Sequence, residues 1–305
     1  MDGIEVLGTP GSPYTRKMLA LLRYRRIPHR TIWGSHFNPL PGYPEPKVKL
    51  LPTFYFPNGN DKEAMVDSTP IIQRLETEYS NRRVVPEDAL LCFLDRLIED
   101  FADEWLTKAM FHYRWHYAAD AAHAGPLLAF WQNLQLDKEA AQKSSDAFAK
   151  RQISRLHVVG SSDLTAPVIE SSYQRLVGIM DRIIQRRGFV MGARPGASDF
   201  ALYGQLTQLV LVDPTNHNTE EQIKFHLSLF SDEVVDHMDH HINIIRNKQG
   251  LALRGAYALD EELREIIPPH WLPWFSVTNQ ATAIEEAEAN GGRVNTRDNE
   301  LSFGV

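Results

Sequence analysis

The chain has a single cysteine, Cys92, among 305 residues. A disulfide within the chain is therefore impossible, and with no Cys-x-x-Cys pair so is dithiol exchange. There is no apolar run near the ~20 residues that a membrane-spanning helix needs, no internal repeat and no low-complexity tract. The opening MDGIEVLG lacks a charged-then-apolar leader. Positive charge is also scarce: 32 Lys and Arg against 39 Asp and Glu leave a formal net charge of −7. That balance argues against nucleic acid as a partner. Together these absences lead us to expect a cytoplasmic protein that binds neither nucleic acid nor membrane.

What is present is the composition of a globular protein, 43% apolar and 23% charged, with enough chain for one large or two moderate domains. Cys92 sits in LLCFLDRLI, an apolar helical pattern, so a buried, inert thiol is expected. The basic cluster RYRRIPHR at 23–30 reads as a solvated helix end, where cations suit the dipole.

Periodicity predicts a strand over 3–8, a helix over 13–25, a strand over 27–33 and a Pro/Gly-rich loop over 34–49. Short strands over 51–56 and 64–66 follow around an NGN turn, then a helix over 68–79 and a polar linker over 80–86. Beyond it helical patterns dominate: 89 to about 122, 166–187, an all-round apolar segment at 196–212 suited to a central helix, and 220–249. Residues 266–275 (IIPPHWLPWF) break helix with proline, and the tail at 291–305 is either disordered or an extended strand.

Three segments carry the chemistry. In LGTPGSPYTRK, at 7–17, an apolar strand runs into a Gly/Pro turn and then Ser12-Pro13 at the start of a helix. Proline suits the first helical turn because its missing N–H would have been unpaired there. A helix start favours an anion, through unpaired N–H groups and the positive end of the dipole. The Ser12 hydroxyl is thus placed to donate to a thiolate, carboxylate or phosphate. The other two segments are LLPTF at 50–54 and VDSTPIIQRL at 66–75.

With GARPGASDFALYGQL at 192–206, these segments resemble the glutathione transferases, closest to their serine-type (tau-like) classes and the cysteine-type omega class. The resemblance implies a thioredoxin-like α/β domain over 1–80 and an all-helical domain with an extended tail over 87–305. It further implies a cis-proline at Pro52, an Asp67-Ser68 pair at the next helix start, a glutathione ligand and a homodimer. Ser12 would donate a hydrogen bond to the glutathione sulfur rather than act as a nucleophile. Lowering a thiol pKa by two units takes about 2.7 kcal/mol, and a charge-assisted hydrogen bond contributes about 1.5–3. Tyr14 and Thr15 are the alternative hydroxyls. Leu51, next to Pro52, would pair with the cysteinyl backbone, Ser68 with the γ-glutamyl carboxylate, Asp67 with its ammonium, and Lys49 (or Lys47) with the glycine carboxylate.

The helical half would then wall in a hydrophobic electrophile, and Trp105, His112, Tyr113 and His116 are the residues expected there. His112 and His116 share a helix face, but no third ligand is evident and no metal is expected. The alternatives are another glutathione-dependent reaction (ether cleavage, dehalogenation, isomerisation) or a non-catalytic binding protein on the same fold. The sequence departs from the family at 196: a Ser or Thr usually caps this helix, and Gly196 stands there with Asp199 three residues on. The second domain and tail are also longer than usual.

Overall fold

A computed structural model describes residues 3–37, 40–133 and 137–211, with the short strands 252–253, 275–276, 293–297 and 300–304. Strand β1 (Ile4–Gly8) is buried along its whole length, and helix α1 (Pro13–Tyr24) follows it with Pro13 in its first turn. Then come β2 (His29–Trp33), β3 (Thr53–Asn58), β4 (Asp61–Met65) and α2 (Ser68–Glu78). The sheet order is β2-β1-β3-β4, with β1 parallel to β2 and antiparallel to β3. This is the thioredoxin-like arrangement expected: a parallel βαβ unit, then a hairpin and a helix. Strand β3 starts at Thr53 rather than Leu51, because Pro52 has no N–H to give a ladder.

The basic cluster is not wholly solvated. Arg25 is buried, its guanidinium 2.9 Å from Glu76 and donating to the carbonyl of Tyr79 at 2.6 Å. It ties the end of α1 to α2. The linker is likewise anchored, with Val84 buried and its carbonyl accepting from Ala197 N–H at 3.2 Å.

The pattern expected as one run from 89 to about 122 is three helices: α3 (Ala89–Phe101), α4 (Thr107–His116) and α5 (Ala118–Gln132). A π-helical turn, Ala102–Leu106, joins α3 to α4, and extended backbone at Tyr117 breaks the chain before α5. Helix α6 (Lys138–Ile153), a short 3-10 segment (Leu156–Val159), α7 (Ala166–Arg187) and α8 (Ala197–Leu211) complete the helical region. Helix α8 is central: Ala197 and Phe200 join the cluster of α1, α2 and the sheet, while Ala201, Leu202, Leu206 and Leu209 pack with α4 and α7. Gly204 makes the crossing with α1 close, since a Cβ there would lie 2.4 Å from the Pro13 carbonyl oxygen. In the tail, Arg293–Arg297 and Glu300–Gly304 form an antiparallel strand pair. The expectations for 220–249 and 266–274 lie outside the described residues.

Helix α3 has inverted polarity. Its buried residues are Asp95 and Glu99, and Asp103 on the π turn continues the same inward line. Leu90, Phe93, Leu97 and Trp105 are all more than half exposed. Cys92 is accordingly half-buried, not buried.

Asp95 also supplies what Gly196 cannot. Its carboxylate accepts from the N–H groups of Ala197 (3.2 Å) and Ser198 (3.1 Å) and from the Ser198 hydroxyl (2.5 Å). Asp199 holds the other half of the cap, accepting from Gly196 N–H at 2.8 Å and Val190 N–H at 3.0 Å. A Cβ on Gly196 would lie 2.3 Å from Asp95 Oδ1. Glycine is therefore the residue that admits a cap from α3.

Candidate functional site

A cleft of about 890 Å³ opens between the sheet half and α3. One wall is Leu50, Leu51 and Pro52, whose Leu51–Pro52 peptide is cis, with Asp67, Ser68, Thr69 and Gln73 at the start of α2. The opposite wall is Arg96, Glu99 and Asp100 of α3, with Asp103 and Glu104 of the π turn. Tyr14, from the first turn of α1, closes it.

Asp67 caps α2 by accepting from Thr69 N–H at 3.2 Å. It does so at φ 76°, a region that costs a non-glycine residue about 1–3 kcal/mol and clusters at ligand sites. Ser68 follows with its side chain buried against the α3 wall. Thr69 N–H is taken by Asp67, Pro70 has none and Ile71 N–H bonds the Asp67 carbonyl, so the helix start offers the cleft the hydroxyl and N–H of Ser68.

Behind that wall lies Lys17, 1% exposed. Its ammonium donates to Glu99 Oε1 (2.8 Å), Asp103 Oδ2 (2.6 Å) and Ser68 Oγ (2.8 Å). All three of its donors are thereby used. Burial pushes the Asp103 carboxyl above its ordinary value; Lys17 pulls it down and Glu99 pushes it up further. Asp103 Oδ1 is buried without a hydrogen-bond partner. Carboxylates of Asp67, Glu99, Asp100, Asp103 and Glu104 face the single arginine, Arg96, so the cleft favours a ligand with a cationic group.

Ser12 caps α1, accepting from Thr15 N–H at 3.2 Å. It is half-buried and does not line the cleft. The loop before it is clamped from the helical region. The Pro10 carbonyl accepts from Arg16 (2.9 Å) and Gln208 (3.0 Å), the Gly11 carbonyl from Arg114 (3.3 Å), and the Thr9 hydroxyl donates to the Trp131 carbonyl (3.3 Å). A Cβ on Gly11 would lie 2.0 Å from Leu128 Cδ2, so α5 packs directly on this turn. Tyr14 donates its hydroxyl to the Asp103 carbonyl at 2.7 Å, and burial pushes it up to about 12.

Of the residues singled out in the sequence, Tyr14, Leu51, Pro52, Asp67 and Ser68 come together in the cleft; Ser12 and Lys49 do not line it. Lys49 is exposed, 3.5 Å from Glu45. Trp105 is 62% exposed beneath the Lys108 ammonium. His112 is fully buried, 2.8 Å from the Ser161 hydroxyl and 3.4 Å from Glu170, and burial lowers its pKa. Tyr113 packs in the core against Tyr173, and His116 stacks on His112 with centroids 4.6 Å apart. None of these four lines the cleft. Among the described residues no group of three His, Cys, Asp or Glu side chains is arranged to hold a metal.

Lys17 and Glu99 were missed in the sequence, although a signal exists. Lys17 takes a core-facing position in an apolar helix, and Asp95, Glu99 and Asp103 recur every four residues, a carboxylate stripe that needs a counter-charge.

Residues 6–83 match the family description "Glutathione S-transferase, N-terminal domain". No curated protein matches the chain. Similar solved structures include a glutathione S-transferase from Rhodospirillum rubrum, 14% identical, covering 75% of this chain and 87% of that one, TM-score 0.49. FzlA from C. crescentus is 13% identical, covering 74% and 86%, TM-score 0.47. A glutathione S-transferase from Methylobacillus flagellatus, solved with GSH bound, is 17% identical, covering 75% and 98%, TM-score 0.44. The sheet order, the cis-proline and the Asp67-Ser68 helix start all lie within that matched segment, so residues 6–83 are similar to a glutathione S-transferase N-terminal domain.

Proposed function

We propose that the cleft binds glutathione and presents its thiol, ionised, to a hydrophobic electrophile. The observation that carries this reading is the convergence of Leu51-Pro52 and Asp67-Ser68 on one cleft within the matched domain. The hydroxyl and N–H of Ser68, at the α2 start, take the γ-glutamyl carboxylate. Its ammonium meets the acidic side of the cleft, where Asp67 and the α3 carboxylates lie. The backbone of Leu51 pairs with the cysteinyl unit in the manner of an added strand.

Ser12 supplies the hydrogen bond to sulfur. Its oxygen accepts from Thr15 N–H, which leaves its own proton to donate at the positive end of α1. One observation favours a second reading in which Tyr14 does this: Tyr14 lines the cleft and Ser12 does not. Tyr14 would then have to release the Asp103 carbonyl. The protein acts as a homodimer, with the exposed stripe of Leu90, Phe93 and Leu97 on α3 and Trp105 on the π turn as the surface a second copy covers. The two domains are the sheet half to residue 80 and the helical half from residue 87.

Calorimetry with glutathione, together with thiol ionisation and conjugation rates for Ser12→Ala and Tyr14→Phe, tests this. Ser12→Ala should slow turnover about ten- to hundredfold, the equivalent of one charge-assisted hydrogen bond, and leave glutathione affinity nearly unchanged. If Tyr14→Phe alone produces that loss, the role moves to Tyr14. Absence of any glutathione uptake by the unmodified protein sinks the reading, and a non-catalytic binding protein then becomes the better one.

A further inference from the structure

A lysine that touches no solvent is hard to justify as packing. Buried ion pairs replaced by apolar residues of similar size often leave a protein as stable or more so, and leucine or methionine at 17 would serve the α1–α8 contact. The three groups that Lys17 touches, Ser68, Glu99 and Asp103, all line the cleft, although Lys17 itself does not.

The geometry dictates what the lysine does to Ser68. An ammonium only donates, so at 2.8 Å it holds Ser68 Oγ as an acceptor. The hydroxyl proton must then point away from Lys17. The acceptor it meets inside the protein, Asp103 Oδ2, is 3.4 Å away, long for an O–H···O bond. The proton is therefore available to a stronger acceptor in the cleft. Lys17 also offsets one of the two buried carboxylates, reducing the charge of the group from −2 to −1 where an anionic ligand atom would have to approach.

We propose that Lys17 is a positioning residue that locks the Ser68 hydroxyl as a donor into the cleft and so makes the α2 start selective for a ligand carboxylate. The inference rests on the glutathione reading and identifies how its γ-glutamyl end is recognised in an otherwise acidic cleft.

The experiment is calorimetric titration of the full chain with two probes: glutathione, and γ-aminobutyryl-cysteinyl-glycine, which lacks only the α-carboxylate. The unmodified protein should prefer glutathione by about ten- to hundredfold, as one charge-assisted hydrogen bond gives. Lys17→Met combined with Glu99→Gln removes one charge of each sign, leaving the net charge of the cluster unchanged and abolishing the lock. It should lose most of the preference. Ser68→Ala should lose it to the same extent, and combining Ser68→Ala with the Lys17 pair should take away nothing more. A structural role alone would move both probes equally and leave their ratio intact. Preference retained in the folded Lys17→Met/Glu99→Gln protein overturns the proposal. If that pair does not fold, Ser68→Ala with Lys17 in place decides, because a preference that survives it cannot run through the hydroxyl. No glutathione uptake by the unmodified protein defeats the glutathione reading itself, whereas uptake without preference between the probes defeats only the role of Lys17.

Discussion

Replacing Asp95 by alanine should weaken the start of α8 across a gap of about a hundred residues in sequence. The carboxylate accepts two backbone N–H groups and the Ser198 hydroxyl at 2.5–3.2 Å, and Ser198 is fully buried. Each bond to a charged acceptor is worth about 1.5–3 kcal/mol, and the buried donors left behind lose their partner. These terms overlap, and Ala197 N–H keeps the Val84 carbonyl at 3.2 Å as a partner, so the expected net cost is about 3–5 kcal/mol. Asp95→Asn keeps one acceptor oxygen and should cost less, about 1–2 kcal/mol. Urea unfolding followed by tryptophan fluorescence measures both, with equal m-values as the check that only stability changed. The same argument makes Gly196→Ser destabilising on its own, because its Cβ would press on Asp95 Oδ1. In the Asp95→Ala background Gly196→Ser should instead recover about 1 kcal/mol, by restoring a local cap. An Asp95→Ala protein within 1 kcal/mol of the unmodified one, or no sign reversal for Gly196→Ser, would refute the cross-helix cap.

Gly204→Ala would set a methyl 2.4 Å from the Pro13 carbonyl oxygen and should cost about 1–3 kcal/mol by overpacking the α1–α8 crossing. A thermal melt with an unchanged midpoint would count against so close a crossing. Burial pushes the Asp199 carboxyl up to about 7, against the pull of its two backbone donors. A carboxyl raised in the folded state contributes stability that is complete below its unfolded value near 4 and is lost as pH rises through about 7. Stability should therefore decline over that window, and Asp199→Asn should flatten the decline in melts taken at several pH values.

The sheet half was legible because its signals are local. Pro13 in a first turn, the NGN hairpin and a capping acid at Asp67 each act within a few residues of where they stand. Helix α6 gave no such sign: only Ala141 and Ser145 are buried on it, so there is no apolar stripe for periodicity to detect. Residues 89 to about 122 read as one helix because composition reveals neither the π turn at Ala102–Leu106 nor the extended backbone at Tyr117. For the site, residue types at the cleft edge were visible, but their charge environment was not. Lys17 and Asp103 are 86 positions apart, and nothing local links them. The pocket expected from Trp105, His112, Tyr113 and His116 rested on side-chain type alone, and burial against α7 directed His112 and Tyr113 elsewhere. Gly196 read as a weakened cap because its replacement, Asp95, comes from another helix.

The packing of Ala197 and Phe200 into the cluster of α1 and the sheet has a consequence for how the polypeptide is made. Some 110 residues separate that cluster from the helix that seals it, and at about 5–20 residues per second a ribosome takes roughly 6–22 s to supply them. Throughout that interval the side of Tyr24 that Phe200 will cover, 5.6 Å between rings in the finished molecule, stays bare to whatever else the cell presents. The nascent sheet half is thus a client for chaperones, and a gene truncated before α8 should yield a product that clumps rather than a small working domain.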